Sequence, residues 1–201
     1  MLHIYLARHG QDQDNSNSIL NGHRDTPLTE KGVEQAREIA RKINEAGITF
    51  DKVYTSPLQR AIKTAEIIAK TVHAPYPEIL QDLIERDFGI MTGKLYSQIG
   101  ELCSPTILKT EAVTYFLAPE GAETFPEALE RANRLLTFIK EKHKDGNILL
   151  VSHGDTGKML YCAYYKLDWE EILKMFHFDN AEVLLLSPTS KAEDVHVFRV
   201  E

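Results

Sequence analysis

Leu2-His3-Ile4-Tyr5-Leu6-Ala7-Arg8-His9-Gly10-Gln11 is the stretch whose reading decides the fold. The apolar run from Leu2 to Leu6 predicts a short buried strand. It ends in an arginine, a histidine and a glycine. Arginine suits bidentate recognition of a phosphoryl group. A neutral imidazole is a nucleophile near pH 7, and glycine lets the backbone turn sharply or approach a ligand. The pattern returns downstream, where Ile148-Leu149-Leu150-Val151 predicts a second buried strand running into Ser152-His153-Gly154-Asp155. Two strands of one sheet, each ending in His-Gly, place two imidazoles side by side at the carboxyl edge, where open α/β sheets bind ligands. A single histidine at a strand end is more often a hydrogen-bonded structural residue than a catalyst. The second strand end of the same kind favours a shared site.

Outward from these strands, the chain alternates strand and helix, which predicts an α/β sheet covered on both faces. Gln11 to Pro27 is a polar loop. Thr29 then caps a helix whose Val33, Ala36, Ala40 and Ile43 recur at helical spacing, with Gly47 as its stop. Asp51 to Thr55 is a strand. Ser56 is expected to cap the next helix, with Pro57 at its first position. Ala61, Ala65, Ile68 and Ala69 make that helix's inner stripe. Arg60 falls in its first turn, where a helix N-terminus and a guanidinium together offer an anion site; a solvated helix arginine is the alternative. Leu83 to Ala122 is irregular, with Pro105, Pro119 and several glycines, and reads as an inserted cap, at about residues 86–122, over the sheet edge. Thr124 and Glu127 form a capping box for a helix reaching about Lys142. A helix from about Thr156 to Tyr165, a short one opened by Asp168 and Glu171, and strands at 182–186 and 195–200 complete the chain, with Pro188 to Asp194 as a turn between the last two. The expected architecture is one domain over 1–201, a three-layer α/β/α sandwich with a mostly parallel sheet.

The composition narrows the partners. The 201 residues carry a formal net charge of -7. No basic run or surplus is present, which argues against nucleic acid or an anionic membrane as a partner. A small anionic substrate needs only a few arginines in a cleft. Cys103 and Cys162 are the two cysteines; without a secretory segment they read as free thiols of a reducing compartment. No apolar run approaches the ~20 residues that span a bilayer. A cytoplasmic protein follows as the expectation, and the sequence does not specify its oligomeric state.

The ordered set of segments resembles the histidine phosphatase superfamily, in its phosphoglycerate-mutase-like branch. The segments are Leu6 to Gln11 with Asn15 downstream, Thr26-Pro27-Leu28-Thr29-Glu30-Lys31-Gly32, Val53 to Ala61, Leu83 to Gly89, Pro119 to Thr124, and Val151 to Gly154. Arg-His-Gly alone is a weak signal, whereas the ordered set is specific. The resemblance implies His9 as the nucleophile that accepts the phosphoryl group. It implies a phosphate pocket of Arg8, Arg60 and His153, with Asn15 as a further contact and Glu85 as proton donor. Asn21 and Gly22 fall in a loop bordering that pocket, and Arg86 and Gly154 join the binding set. Two arginines, a histidine and a helix N-terminus supply the alignment and charge that phosphoryl transfer asks for, with no metal or other cofactor. Read without the family, Glu85 would be a surface glutamate in a local salt bridge.

The activity the resemblance implies is a metal-independent phosphomonoesterase that hydrolyses a small phosphorylated metabolite through phosphohistidine. A phosphoglycerate mutase is the alternative, and an inactive member that binds phosphorylated ligands is the second. Mutase relatives carry a lysine shortly after the glycine matching Gly93, and paired arginines in the cap. Here Lys94-Leu95-Tyr96 follows Gly93, and Lys109 is the only basic residue between Gly100 and Glu120. That favours hydrolysis over mutase chemistry. The intact His9, Arg8, Arg60, Glu85 and His153 speak against an inactive member. Of the other histidines, His3, His73, His143 and His196 have no partner at ligand spacing. His23 and His177 are candidates for supporting the site. A metal held by His9 and His153 lacks a third ligand nearby.

Overall fold

Ile4 and Leu6 point to one side of the strand Leu2–Arg8 (β1), and Tyr5 and Ala7 to the other; all four are buried. A strand buried on both faces needs a helical layer on each side, and the computed structural model has that arrangement. It describes residues 1–189, Ala192 and 196–198. After β1 come α1 (Gln13–Ser16), α2 (Glu30–Glu45), β2 (Lys52–Thr55), α3 (Gln59–Thr71) and β3 (Glu78–Ile79). Then follow α4 (Ile99–Cys103), β4 (Ile107–Lys109), β5 (Thr114–Phe116), α5 (Phe125–Lys142), β6 (Gly146–Ser152), α6 (Gly154–Tyr165), α7 (Trp169–Met175), β7 (Val183–Leu186) and β8 (His196–Phe198).

The main sheet has the order β3-β2-β6-β1-β7-β8. β3, β2, β6 and β1 run parallel, and β7 runs antiparallel to both of its neighbours, β1 and β8. On one face, Ile39, Ala40 and Ile43 of α2 and Ala61, Ala65 and Ile68 of α3 pack on Tyr5, Ala7, Val53, Leu149 and Val151. On the other, Ala132, Leu135 and Ile139 of α5, Met159 and Leu160 of α6, and Leu173 of α7 pack on Ile4, Leu6, Ile148 and Leu150. The three-layer α/β/α sandwich with a mostly parallel sheet is thus observed. Cys103 and Cys162 are buried and unpaired. No helix among the described residues is long and apolar enough to cross a membrane.

Local differences from the expectations have physical causes. The loop after β1 contains α1, a single turn held by a capping box between Asp12 and Asn15 rather than by apolar burial. Ser56 and Pro57 lie before α3, whose N-cap is Leu58. The Ser56 hydroxyl is 2.7 Å from His153 Nε2, and the Gln59 N–H is instead satisfied by Asp25 Oδ1 at 2.7 Å. The first free N–H of α3 is therefore occupied by a carboxylate of the chain. Residues 107–116 include a two-stranded ribbon, β4-β5, where irregular structure was expected. α6 starts at Gly154, two residues early. Of the expected last strand, 195–200, the structure describes 196–198; Val195, Arg199 and Val200 lie outside the described residues, as does most of 190–194 of the expected turn.

α2 begins close under the loop that leaves β1. A Cβ on Gly10 would stand 2.2 Å from Gly32 O, and one on Gly32 would stand 2.0 Å from Gln11 O. Both obstacles are backbone atoms that cannot swing away. In an open helix, glycine to alanine gains up to about 1 kcal/mol in propensity; here overpacking opposes it, at about 1–3 kcal/mol. Gly32→Ala is expected to lower unfolding stability by about 1 kcal/mol or more in urea denaturation. A stabilised variant would show that this contact is not tight.

Candidate active site

The pairing of β1 with β6 places the site. Arg8 is in register with Ser152, so both chains leave the sheet edge together and the His9 N–H bonds Ser152 O at 3.1 Å. The His9 and His153 rings meet edge to face with centroids 4.9 Å apart. Both are buried. His9 Nδ1 lies 2.7 Å from Gly10 O, an acceptor only, so Nδ1 carries the proton and Nε2 carries the lone pair. His153 Nε2 meets the Ser56 hydroxyl, which itself accepts from Leu58 N–H at 3.3 Å. The serine hydroxyl has one proton and a second lone pair, so it pairs with either tautomer of His153, whose other ring nitrogen is Nδ1. That Nδ1 is buried with no partner among the described residues.

Arg60 is fully buried behind His9. Its Nε reaches Asp12 Oδ2 at 3.2 Å and His9 Nε2 at 3.3 Å. Its other nitrogens bond Arg24 O at 2.6 Å and Gly22 O at 2.9 Å. Gly22, at φ +48°, turns its carbonyl to that guanidinium. Asp12 is held by Asn15 N–H and by Asn21 Nδ2, each at 2.7 Å. Burial, then the charges of Arg60 and Arg8, push the His9 imidazole well below its ordinary 6.5. Burial, Arg60, His9 and Arg8 do the same to His153.

A cavity opens in front of His9. It is lined by Arg8, Asn15, Asn21, Glu85, Arg86 and Gly154 among others, and roofed by Phe88, Tyr96, Tyr115 and Phe116. Arg8 donates through its Nη1 to Phe178 O, but its buried Nε has no partner among the described residues. Asn15 Oδ1 accepts from Asn180 Nδ2 at 3.2 Å, and Asn180 Nδ2 also reaches His9 O at 3.0 Å.

Glu85 sits against the N-terminus of α6. Its Oε1 accepts from Arg86 N–H at 2.9 Å, Thr156 N–H at 3.0 Å and the Thr156 hydroxyl at 3.2 Å; Oε2 has one longer contact, from Asp155 N–H at 3.3 Å. The backbone around it is clamped. Arg131 donates to Asp82 O and Ile84 O at 2.7 and 2.9 Å while its fork holds Glu123 at 2.8 and 2.6 Å. His23 Nε2 bonds Glu85 O at 2.7 Å. Arg86 points along the cavity wall with its guanidinium engaged, by Asp155 Oδ2 at 2.9 Å and Glu123 O at 3.0 Å, and stacked near Phe125 and Phe116. Every candidate residue read from the sequence falls within this one region, with Arg60, His153 and Gly22 behind its lining.

The family model of the histidine phosphatase superfamily (branch 1) matches residues 4–200. The chain belongs to that superfamily. It is 32% identical over 178 residues to a 2,3-bisphosphoglycerate-dependent phosphoglycerate mutase of Parvibaculum lavamentivorans, covering 86% of this chain and 84% of that one. Its fold matches the phosphoserine phosphatase of Entamoeba histolytica, solved in complex with 3-phosphoglyceric acid, at a TM-score of 0.74 and 24% identity over 92% of this chain and 90% of that one. It also matches a mycobacterial glucosyl-3-phosphoglycerate phosphatase complexed with VO3, at 0.78 and 23% over 96% and 95%.

Several residues of this superfamily member's site escaped the sequence reading. Asp12, the counter-charge of Arg60, looked like one polar loop residue among many. Ser56, read as a helix cap, holds the His153 ring through Nε2. Asn180, Thr156, Tyr115 and Lys158 reach the site from elements far apart in the chain. Lys158 alone left a local signal, a lysine directly before the apolar run from Met159 to Cys162.

With both imidazoles depressed, protonating either favours the unfolded chain, so this contribution to stability is complete above about pH 6.5 and declines as pH falls below it. Nitrogen-15 NMR at pH 6.0 is expected to show His9 and His153 neutral, with His9 protonated on Nδ1. An imidazolium signal from either at that pH would contradict the assignment.

Proposed function

We propose that this chain is a metal-independent phosphomonoesterase that works through a phosphohistidine on His9. The observation that carries the reading is a neutral His9 whose Nε2 lone pair is free of a proton, in one site with two unpartnered buried nitrogens, Arg8 Nε and His153 Nδ1. A buried donor without an acceptor costs free energy, and an equatorial phosphoryl oxygen on Arg8 Nε, and on His153 Nδ1 in its Nδ1–H tautomer, would remove that cost. Arg60 Nε, now at His9 Nε2, would move to a third oxygen. Phosphoryl transfer draws on such positioning and charge.

The reaction balances in two steps. His9 Nε2 forms a bond to phosphorus, the ester P–O bond breaks, and the leaving oxygen takes a proton from Glu85. A water oxygen then bonds phosphorus, the N–P bond breaks, and Glu85 recovers a proton from the water. Oε2, with its single long contact, is the oxygen of Glu85 with room for that proton. We propose residues 86–122 as the cap that chooses the alcohol. Its lysines, Lys94 and Lys109, are exposed and do not line the cavity, and Arg86 is committed to protein partners. A mutase must hold a doubly phosphorylated intermediate during turnover and needs several fixed cations to do so, which supports hydrolysis. The phosphatase names of the solved neighbours support the same choice. The mutase name of the curated relative keeps interconversion of monophosphoglycerates as the second reading.

Phosphate release and isomerisation should be measured together, with EDTA present, for 3-phosphoglycerate plus 2,3-bisphosphoglycerate and for a panel of phosphoesters. Phosphate release is expected to dominate. Interconversion outrunning release would favour the mutase, and activity lost in EDTA and restored by a divalent metal would remove the metal-free mechanism. Glu85→Gln is expected to slow sugar phosphates far more than p-nitrophenyl phosphate, whose leaving group needs no proton; general acids contribute about 10²–10⁴-fold. An equal effect on both would take Glu85 out of the acid role.

A further inference from the structure

Beyond the phosphoryl end, the cavity continues along α6. Lys158 follows Gly154 by four residues and Asp155 by three, so the three share a helix face, and Lys158 lies about 6 Å further along the axis. It lines the cavity yet is 2% exposed. Its Nζ donates to Tyr115 Oη, which comes from β5 across the cavity, and lies 4.7 Å from that ring's centroid. An ammonium has three donors; among the described residues this hydrogen bond uses one. Tyr115 Oη accepts from the lysine, and burial pushes its own titration upward, so its proton is kept for another acceptor. The same cavity is also lined by the apolar Leu20, Phe88, Phe116 and Phe178, which fits a short carbon skeleton.

We propose that Lys158 Nζ and Tyr115 Oη form an anion subsite, one helical turn from the phosphoryl end, that selects phosphomonoesters bearing a second anionic group, a carboxylate or a further phosphate. This rests on the phosphomonoesterase reading. The charged groups that face Lys158 are Arg8, Asp155, Glu85 and Asp179. Asp155 is neutralised by its pairing with Arg86. His177, whose imidazole burial pushes down to about 4, is uncharged at pH 7. Burial brings the lysine itself to about 8, so it is mainly an ammonium at pH 7.

The test uses matched esters. 3-Phosphoglycerate and glycerol 3-phosphate differ by a carboxylate in place of a hydroxymethyl group. Fructose 1,6-bisphosphate and fructose 6-phosphate differ by the second phosphate. For the wild type, kcat/KM is expected to favour the doubly anionic member of at least one pair by about tenfold or more, as for a charge-assisted hydrogen bond, and the pair identifies the anion. The ratio should fall close to one in Lys158→Met and recover in part in Lys158→Arg. In the wild type it should also decline as pH rises through about 8, where the ester phosphates, with second pKa near 6, no longer titrate. A wild-type ratio near one in both pairs, or a ratio that Lys158→Met leaves intact, overturns the subsite while hydrolysis itself stands. Should Lys158→Met not fold, Lys158→Arg and the wild-type pH profile decide by the same criteria. If no ester releases phosphate, the phosphomonoesterase reading fails. The same pairs are then compared by calorimetric binding, where equal affinities within each pair overturn the subsite and a preference that Lys158→Met removes supports it.

Discussion

A guanidinium with no access to water is the constraint around which this end of the molecule is built. Taking a charge out of solvent costs several kcal/mol unless it is paired and hydrogen-bonded. Arg60 meets that demand with the Asp12 carboxylate and the carbonyls of Gly22 and Arg24. Those three partners come from one loop, so the path of residues 12–24 follows from the arginine. Asn15 and Asn21 complete Asp12, and Asn180 ties Asn15 back to His9. Burial first, and then this same positive charge, holds both imidazoles neutral. The residue that orders the loop thus also helps to keep His9 uncharged.

The sheet edge was legible in the sequence because strands buried on both faces read as unbroken apolar runs. Leu2 to Leu6 and Ile148 to Val151 are such runs, and their ends carry the histidines. The long helices were legible from apolar spacing and from local capping, as at Thr29 and at Thr124 with Glu127. What was not legible depends on contacts between distant residues. The start of α3 moved because the Ser56 hydroxyl is taken by His153, 97 positions away. α1 has no apolar period to detect, and β4 and β5 are too short to show one. Asp12 became visible only once the fold buried it, and Lys158 showed in the sequence only as the residue before an apolar run, since aspartate in a polar loop and lysine on a helix ordinarily face water.

The cleft has two unlike walls. The sheet side carries the guanidinium groups of Arg8 and Arg60 and the neutral imidazoles of His9 and His153. The opposite side, from Phe88 to Phe116, is aromatic, and the one arginine there, Arg86, is spent on holding Asp155 and the Glu123 carbonyl. Glu85 stands where the two walls meet, clamped through Arg131, Thr156 and His23. On the proposed reading, such a site fastens one phosphoryl group and leaves the rest of a ligand to a few polar contacts. The relatives of this chain bear both mutase and phosphatase names.

The central claim is that His9 attacks through Nε2 because Nδ1 is tied to Gly10 O. Rapid acid-free quenching of the enzyme during turnover, followed by phosphorus-31 and nitrogen-15 NMR of the labelled protein, reads the phosphorylated atom directly. The account predicts an acid-labile, base-stable phosphoramidate on Nε2 of His9. Phosphate on Nδ1, on another residue, or no phosphoenzyme during turnover of a good substrate would contradict it.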